Sequence, residues 1–132
     1  MGAILGLGVD VVSVARIGRL KDRLGARFLG RVFTDDELAD FGSETIPDER
    51  VAARFAAKEA VMKALGTGWA SGVGFKQIEV SNLPSGRPIA KLNGAAADIA
   101  RELGAARVLI TMSNEREWAV AVALLEGGDA DR

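Results

Sequence analysis

The chain has 132 residues and a formal charge of -1, with 48% apolar and 27% charged residues; this is the balance of one globular domain, burying about two-thirds of the surface its unfolded form would expose. It has neither cysteine nor histidine, which excludes thiol nucleophiles, disulfides, thiolate zinc sites and imidazole bases. A metal here must be held by oxygen atoms, which favours Mg²⁺, with Mn²⁺ as the alternative.

The N-terminal MGAILGLGVD has no basic segment before its apolar run, and Asp10 cuts that run short. Gly6 stands where a myristoylation signal needs Ser or Thr. The longest apolar run, Trp118 to Leu125, is less than half of the ~20 residues a spanning helix needs. By elimination the expectation is a cytoplasmic protein with no membrane partner.

In chain order, Ala3 to Val12 reads as a buried strand carrying Gly6 and Gly8 and leading to Asp10. From Ser13 the period changes: Val14, Ile17, Leu20, Leu24 and Phe28 recur at helical spacing. Arg16, Arg19, Lys21, Arg23, Arg27 and Arg31 lie between them against Asp22, a basic stripe suited to an acidic partner. Thr34 and Glu37 form a capping-box pattern that predicts a short helix from Asp35 to about Phe41, and Gly42 to Asp48 reads as a loop. The alanine-rich stretch Glu49 to Leu65 predicts a helix stopped by Gly66. GTGWASGVG then predicts a loop with backbone amides free to bind, and it lacks the Lys-Ser or Lys-Thr of a Walker loop.

Phe75 to Val80 and Ile89 to Asn93 alternate weakly around a turn rich in proline and glycine, which reads as a hairpin. Ala95 to Leu103 predicts a helix ended by Gly104, followed by β-rich runs at Arg107 to Met112 and Trp118 to Leu125. The nearly unbroken apolar run from Trp118 implies a strand covered on both faces, as a central strand under two helices would be. Residues 1–126 are expected to form a single domain and 127–132 a flexible tail.

On the alanine-rich helix, Phe55, Glu59, Met62, Lys63 and Gly66 share one stripe, with Arg54, Lys58 and Val61 on an adjoining one. Taken alone, Glu59 and Lys63 read as a solvated i,i+4 ion pair worth ~0.3–0.5 kcal/mol. The neighbouring Arg54, Lys58 and glycine loop support another reading, in which Glu59 holds Mg²⁺ and the cations hold a phosphate ester. Mg²⁺ recruits one or two carboxylates, so Asp10 is the candidate second ligand; its alternative role is N-cap of the helix that follows. Gly6 and Gly8 read better as tight packing than as phosphate contacts.

GLGVDVVSVARI and RFAAKEAVMKALGTG resemble the two signature motifs of holo-acyl-carrier-protein synthases, the small phosphopantetheinyl transferases of bacterial fatty-acid synthesis, and the resemblance extends over nearly the whole chain. It implies an α+β fold, a small mainly antiparallel sheet packed with helices, assembled as a homotrimer with sites between subunits. It also implies Mg²⁺-assisted transfer of the phosphopantetheine arm of coenzyme A to a serine of an acyl carrier protein, releasing adenosine 3',5'-bisphosphate.

Residue by residue, Asp10 and Glu59 match the family's metal-binding carboxylates, and Lys63 matches the motif lysine beside the pyrophosphate; these three form the implied catalytic set. Arg54 matches a residue near the nucleotide phosphates, while Gly66, Gly86, Arg87, Pro88, Thr111 and Ser113 match segments bordering the coenzyme. Arg16, Leu20, Arg23, Arg27 and Phe28 match the helix that receives the carrier protein. One departure stands out: many members carry Ser-His where this chain has Ser113-Asn114, and an amide takes no proton. The serine proton is left to Glu59, to a water organised by the metal site, or to solvent, and the water is the expected acceptor. Nucleic acid is not an expected partner, since the chain is net acidic and no aromatics interleave with the arginines.

Overall fold

The computed structural model describes residues 2–42, 45–68 and 70–128. Its central feature follows from small side chains: the alanine-rich helix α4 (Asp48–Leu65) lies directly on strand β1 (Ile4–Ser13). A Cβ at Gly8 would stand 2.0 Å from the carbonyl oxygen of Ala60, and one at Gly6 would stand 2.1 Å from that of Ala64. The two glycines are therefore spent on close strand-to-helix approach, as the packing reading expects.

β1 continues into α1 (Val14–Leu24) and α2 (Ala26–Val32), followed by α3 (Asp35–Phe41). After α4 come a short 3-10 turn at Phe75–Gln77, the hairpin strands β2 (Ile78–Asn82) and β3 (Pro88–Leu92), helix α5 (Gly94–Leu103), and strands β4 (Ala105–Glu115) and β5 (Trp118–Gly127). All pairings are antiparallel, in a three-stranded sheet ordered β1-β5-β4 and a two-stranded sheet β2-β3. This is the expected α+β architecture.

Several expectations are corrected. The helical period from Val14 to Phe28 is carried by two helices, because Gly25 adopts φ 53 between them. Phe75 to Gln77 form the 3-10 turn, so β2 begins only at Ile78. Gly127, expected to open a tail, closes β5 and donates its N–H to Ala3 O at 2.8 Å; residues 129–132 lie outside the described residues.

β5 is the central strand, yet α4 covers one face of it rather than two helices covering both. Ala119, Ala121, Ala123 and Leu125 are buried on the α4 side. On the opposite side Leu7, Val9 and Val11 of β1 are more than half exposed, beside Val120, Val122 and Leu124 in register.

The adjoining-stripe lysine of α4 is also corrected: Lys58 does not face a phosphate site. It is fully buried, and its three N–H donors go to Glu37 Oε1 at 2.6 Å, Ile78 O at 2.8 Å and Phe75 O at 3.1 Å. Glu37 completes the expected capping box with Thr34 and also accepts the N–H of Val80 at 2.8 Å. One ion pair thus ties α3, α4 and β2 together.

Candidate active site

Strand alternation turns Asp10 toward α4, between the exposed Val9 and Val11. Lys63 reaches it from the last turn of that helix, donating to Asp10 Oδ1 at 3.0 Å and to Val9 O at 2.9 Å. Asp10 Oδ2 is buried and has no hydrogen-bond partner among the described residues. The cap of α1 is Ser13, whose side chain accepts the N–H of Arg16 at 3.2 Å, so Asp10 is not the helix cap.

Glu59 stands one turn before Lys63 and is half-buried. Its carboxyl is pushed above the usual carboxylate range by burial first and by the charge of Asp10 second, with Lys63 and Arg16 opposing the shift. The routine Glu59–Lys63 ion pair is absent among the described residues, because Lys63 is paired with Asp10 instead. Two carboxylates, one with an idle buried oxygen and one reluctant to ionise beside it, form a site short of positive charge. Among the described residues no cluster of three metal-ligating side chains occurs; a pair of carboxylates is sufficient for Mg²⁺, which keeps several waters.

A cavity of about 500 Å³ leads to Glu59. Phe28, Phe55 and Phe75 line it together with Arg16, Arg27 and Arg31 from α1 and α2, giving an apolar slot with a basic rim. Arg16, Arg23 and Arg27 are exposed and Leu20 is half-buried. Phe28 is instead buried, its ring centroid 6.2 Å from that of Phe55, so it shapes the slot from inside.

The remaining sequence-derived residues lie elsewhere in the chain. Arg54 and Lys63 differ by about half a turn around α4 and ~13 Å along it, at about 1.5 Å of rise per residue. Arg54 faces the hairpin, donating to Asn82 Oδ1 at 2.6 Å, and Asn82 Nδ2 donates to Gly86 O at 2.8 Å. Arg87 and Pro88 follow in the same turn, with Pro88 paired to Asn82. Thr111 and Ser113 pair with Val122 and Val120 on the open face of the sheet, away from Asp10. Gly66 takes φ 80 and ends α4 in the left-handed conformation that glycine permits.

The glycine loop offers fewer amides than expected. The N–H groups of Gly66, Thr67 and Gly68 return to Lys63 O or Met62 O at the end of α4, and those of Ala70 and Val73 bond within the loop. Trp69 of that segment lies outside the described residues. Asn82 is the organising residue that sequence reasoning missed and Lys58 the one it misplaced, while Glu37, expected as part of the capping box, also holds that lysine. The roles of Asn82 and Lys58 depend on a hairpin docking across α4, and of the three only Glu37 carried a local signal, its capping pattern with Thr34.

Comparison with known proteins bears on this geometry. The model of the 4'-phosphopantetheinyl transferase superfamily matches residues 6–123. A holo-[acyl-carrier-protein] synthase of Koribacter versatilis is 46% identical over 123 residues, covering 93% of this chain and 98% of its own. Among solved structures, the holo-[acyl-carrier-protein] synthase of Neisseria meningitidis superposes with a TM-score of 0.85 at 38% identity, covering 94% of this chain and 99% of its own. That of Bacillus anthracis strain Ames, in complex with CoA (3',5'-ADP), gives 0.75 at 34% identity, covering 95% and 98%.

Proposed function

The chain belongs to the 4'-phosphopantetheinyl transferase superfamily, and from that premise we propose that it moves the phosphopantetheine arm of coenzyme A onto a serine of apo-acyl carrier protein, with Asp10 and Glu59 holding Mg²⁺. The serine oxygen bonds to the phosphorus that carries the pantetheine as its proton passes to water, the pyrophosphate P–O bond breaks, and adenosine 3',5'-bisphosphate leaves. The observation that carries this reading is the buried, unpartnered Oδ2 of Asp10 beside Glu59 and Lys63. Bound there, Mg²⁺ supplies charge neutralisation of the pyrophosphate.

The chain's own groups supply the rest. Lys63 has a half-exposed side chain and one N–H uncommitted among the described residues. Its role is to leave Asp10 for a phosphate oxygen when substrate arrives, which would free Asp10 to hold the metal. The arginines of α1 and α2 attract the acidic carrier and align its serine for in-line attack, with Arg16 as the residue that borders both carrier surface and Glu59. Asn114 takes no proton from the serine.

The functional unit in this reading is a homotrimer with its site between subunits. Two observations support it: Arg54, Gly86 to Pro88, Thr111 and Ser113 lie apart from Asp10 and Lys63 within one chain, and the open sheet face of Leu7, Val9 and Val11 is apolar. Mixing the protein with coenzyme A, Mg²⁺ and apo-carrier protein and weighing the carrier tests the reaction. The carrier gains one phosphopantetheine arm; an unchanged mass rejects the reading.

A further inference from the structure

The buried stripe of α1 runs through Val14, Ile17 and Gly18 and continues into a lysine. Lys21 stands three residues after Gly18 on the same face of the helix. Its side chain is 16% exposed, whereas Arg16, Arg19 and Arg23 are exposed on the outer face. The Lys21 ammonium pairs with Asp48 Oδ1 at 2.6 Å and donates to Ile46 O at 2.7 Å. This member of the basic stripe therefore points into the protein and commits its charge to the first residue of α4.

Gly18 makes room for that contact. A Cβ there would stand 2.4 Å from Asp48 Oδ2 and 3.0 Å from the carboxyl carbon, so the helix surface is notched where the carboxylate sits. Asp48 lies in the first turn of α4, where the helix N-terminus favours a negative charge.

The contact holds the half of α1 that has least other support. At the opposite end the N–H of Val14 donates to Glu117 O at 2.9 Å, and the buried apolar side chains, Val14 and Ile17, both lie in the first turn. Leu20 and Leu24 are only partly covered, and Gly25, beyond the helix, takes φ 53 with open space around it. A helix anchored by its first turn alone pivots there, and the swing grows along its length toward Arg23. Arg16 and Glu59 line one cavity, so the tilt of α1 sets where a partner docked on the outer arginines lies relative to Glu59.

We propose that Lys21, Asp48 and Gly18 form a joint that fixes the tilt of α1, and that this joint aims the carrier's serine at the Asp10 and Glu59 site. The proposal rests on the function proposed above. Lys21 is a positioning residue that acts through the outer face of α1, and it is not a docking charge.

Arm transfer is measured with carrier and coenzyme A varied in turn, for wild type, Lys21→Met, Lys21→Arg, Asp48→Asn and Gly18→Ala. Lys21→Met and Asp48→Asn each lower kcat about ten-fold, the effect of a misaimed nucleophile, with both KM values within about two-fold of wild type. The double variant is no worse than either single one, because the two residues act as a unit. Lys21→Arg, which keeps the pair, recovers most of kcat. Gly18→Ala keeps every charge and favours the helix, yet it also lowers kcat, because relieving its Cβ turns the carboxylate away from Lys21. A docking charge gives another pattern: Lys21→Met raises the carrier's KM, Asp48→Asn lowers it, and Gly18→Ala does nothing. That pattern, or unchanged kcat throughout, overturns the joint.

Hydrogen exchange supplies a readout that does not depend on catalysis. Amides of residues 19–24 in α1 exchange faster in Lys21→Met than in wild type, while those of residues 52–64 in α4 do not. Equal exchange in α1 overturns the joint. If wild type transfers no arm, the proposed function fails and the aiming role with it, and exchange still decides whether Lys21 locks α1.

Discussion

Helix α4 carries two lysine–carboxylate pairs that differ in almost every physical respect. Lys58–Glu37 is sealed: both side chains are buried, every N–H of Lys58 is used, and both oxygens of Glu37 accept. Lys63–Asp10 is open: the lysine is half-exposed, one aspartate oxygen is idle, and a second carboxylate stands beside it. A saturated pair fixes geometry, whereas an unsaturated pair retains capacity for a ligand. The two lysines sit five positions apart in KEAVMK, so the distinction lies in what the rest of the fold brings to each, not in residue type.

Exchanging either lysine for methionine separates the two roles. Lys58→Met strands the Glu37 charge in the core and is expected to cost ~3–5 kcal/mol of folding stability, read as a lower urea midpoint. Lys63→Met lowers that midpoint less than Lys58→Met does, since only Asp10 of this pair is buried and Lys63 is half-exposed, and it lowers kcat/KM for arm transfer by about 10²–10³-fold. Comparable unfolding by both variants would erase the contrast. Arg16→Glu is expected to raise the carrier's KM about ten-fold or more while the KM for coenzyme A changes little, with wild-type carrier binding weakening as salt rises; equal effects on both substrates would remove α1 from docking.

Glu59→Gln probes the open pair through pH. Because Glu59's folded pKa is raised, its protonated form is favoured in the fold; that stabilisation is full below the ordinary glutamate range and is lost as pH rises through the raised value. At neutral pH without metal the glutamine variant therefore melts above wild type, and added Mg²⁺ no longer raises its melting temperature. A variant that melts lower and still responds to Mg²⁺ would deny Glu59 both properties. Ser13→Ala, the smallest change, removes the α1 cap and costs about 1 kcal/mol with the Mg²⁺ response of the enzyme intact.

The local layers of this structure were legible in the sequence. Capping at Thr34 and Glu37, the stop at Gly66 and the strand leading to Asp10 each follow from near neighbours in the chain, and the structure carries all three. Long-range assignments were less legible. The burial of Lys58 needs Glu37, Phe75 and Ile78 to converge from three other elements, and the bracing of Arg54 needs the hairpin to dock across α4. The Glu59–Lys63 spacing permitted an ion pair, but Asp10 on a strand with glycine neighbours lies close enough to take the lysine. The residues themselves suggested Glu59 and Asp10 as metal ligands, and motif resemblance implied that they act with Lys63, while the unpartnered oxygen of Asp10 is a property of packing that no local pattern encodes.

The most direct test of the open pair is the Mg²⁺ dependence of arm transfer, followed by the mass of the carrier, in wild type and Asp10→Asn. Wild type is expected to add one phosphopantetheine arm with a rate that saturates in Mg²⁺, and Asp10→Asn to require far more Mg²⁺ for any transfer. The same Mg²⁺ dependence in both proteins would contradict the assignment of the cation to Asp10 and Glu59.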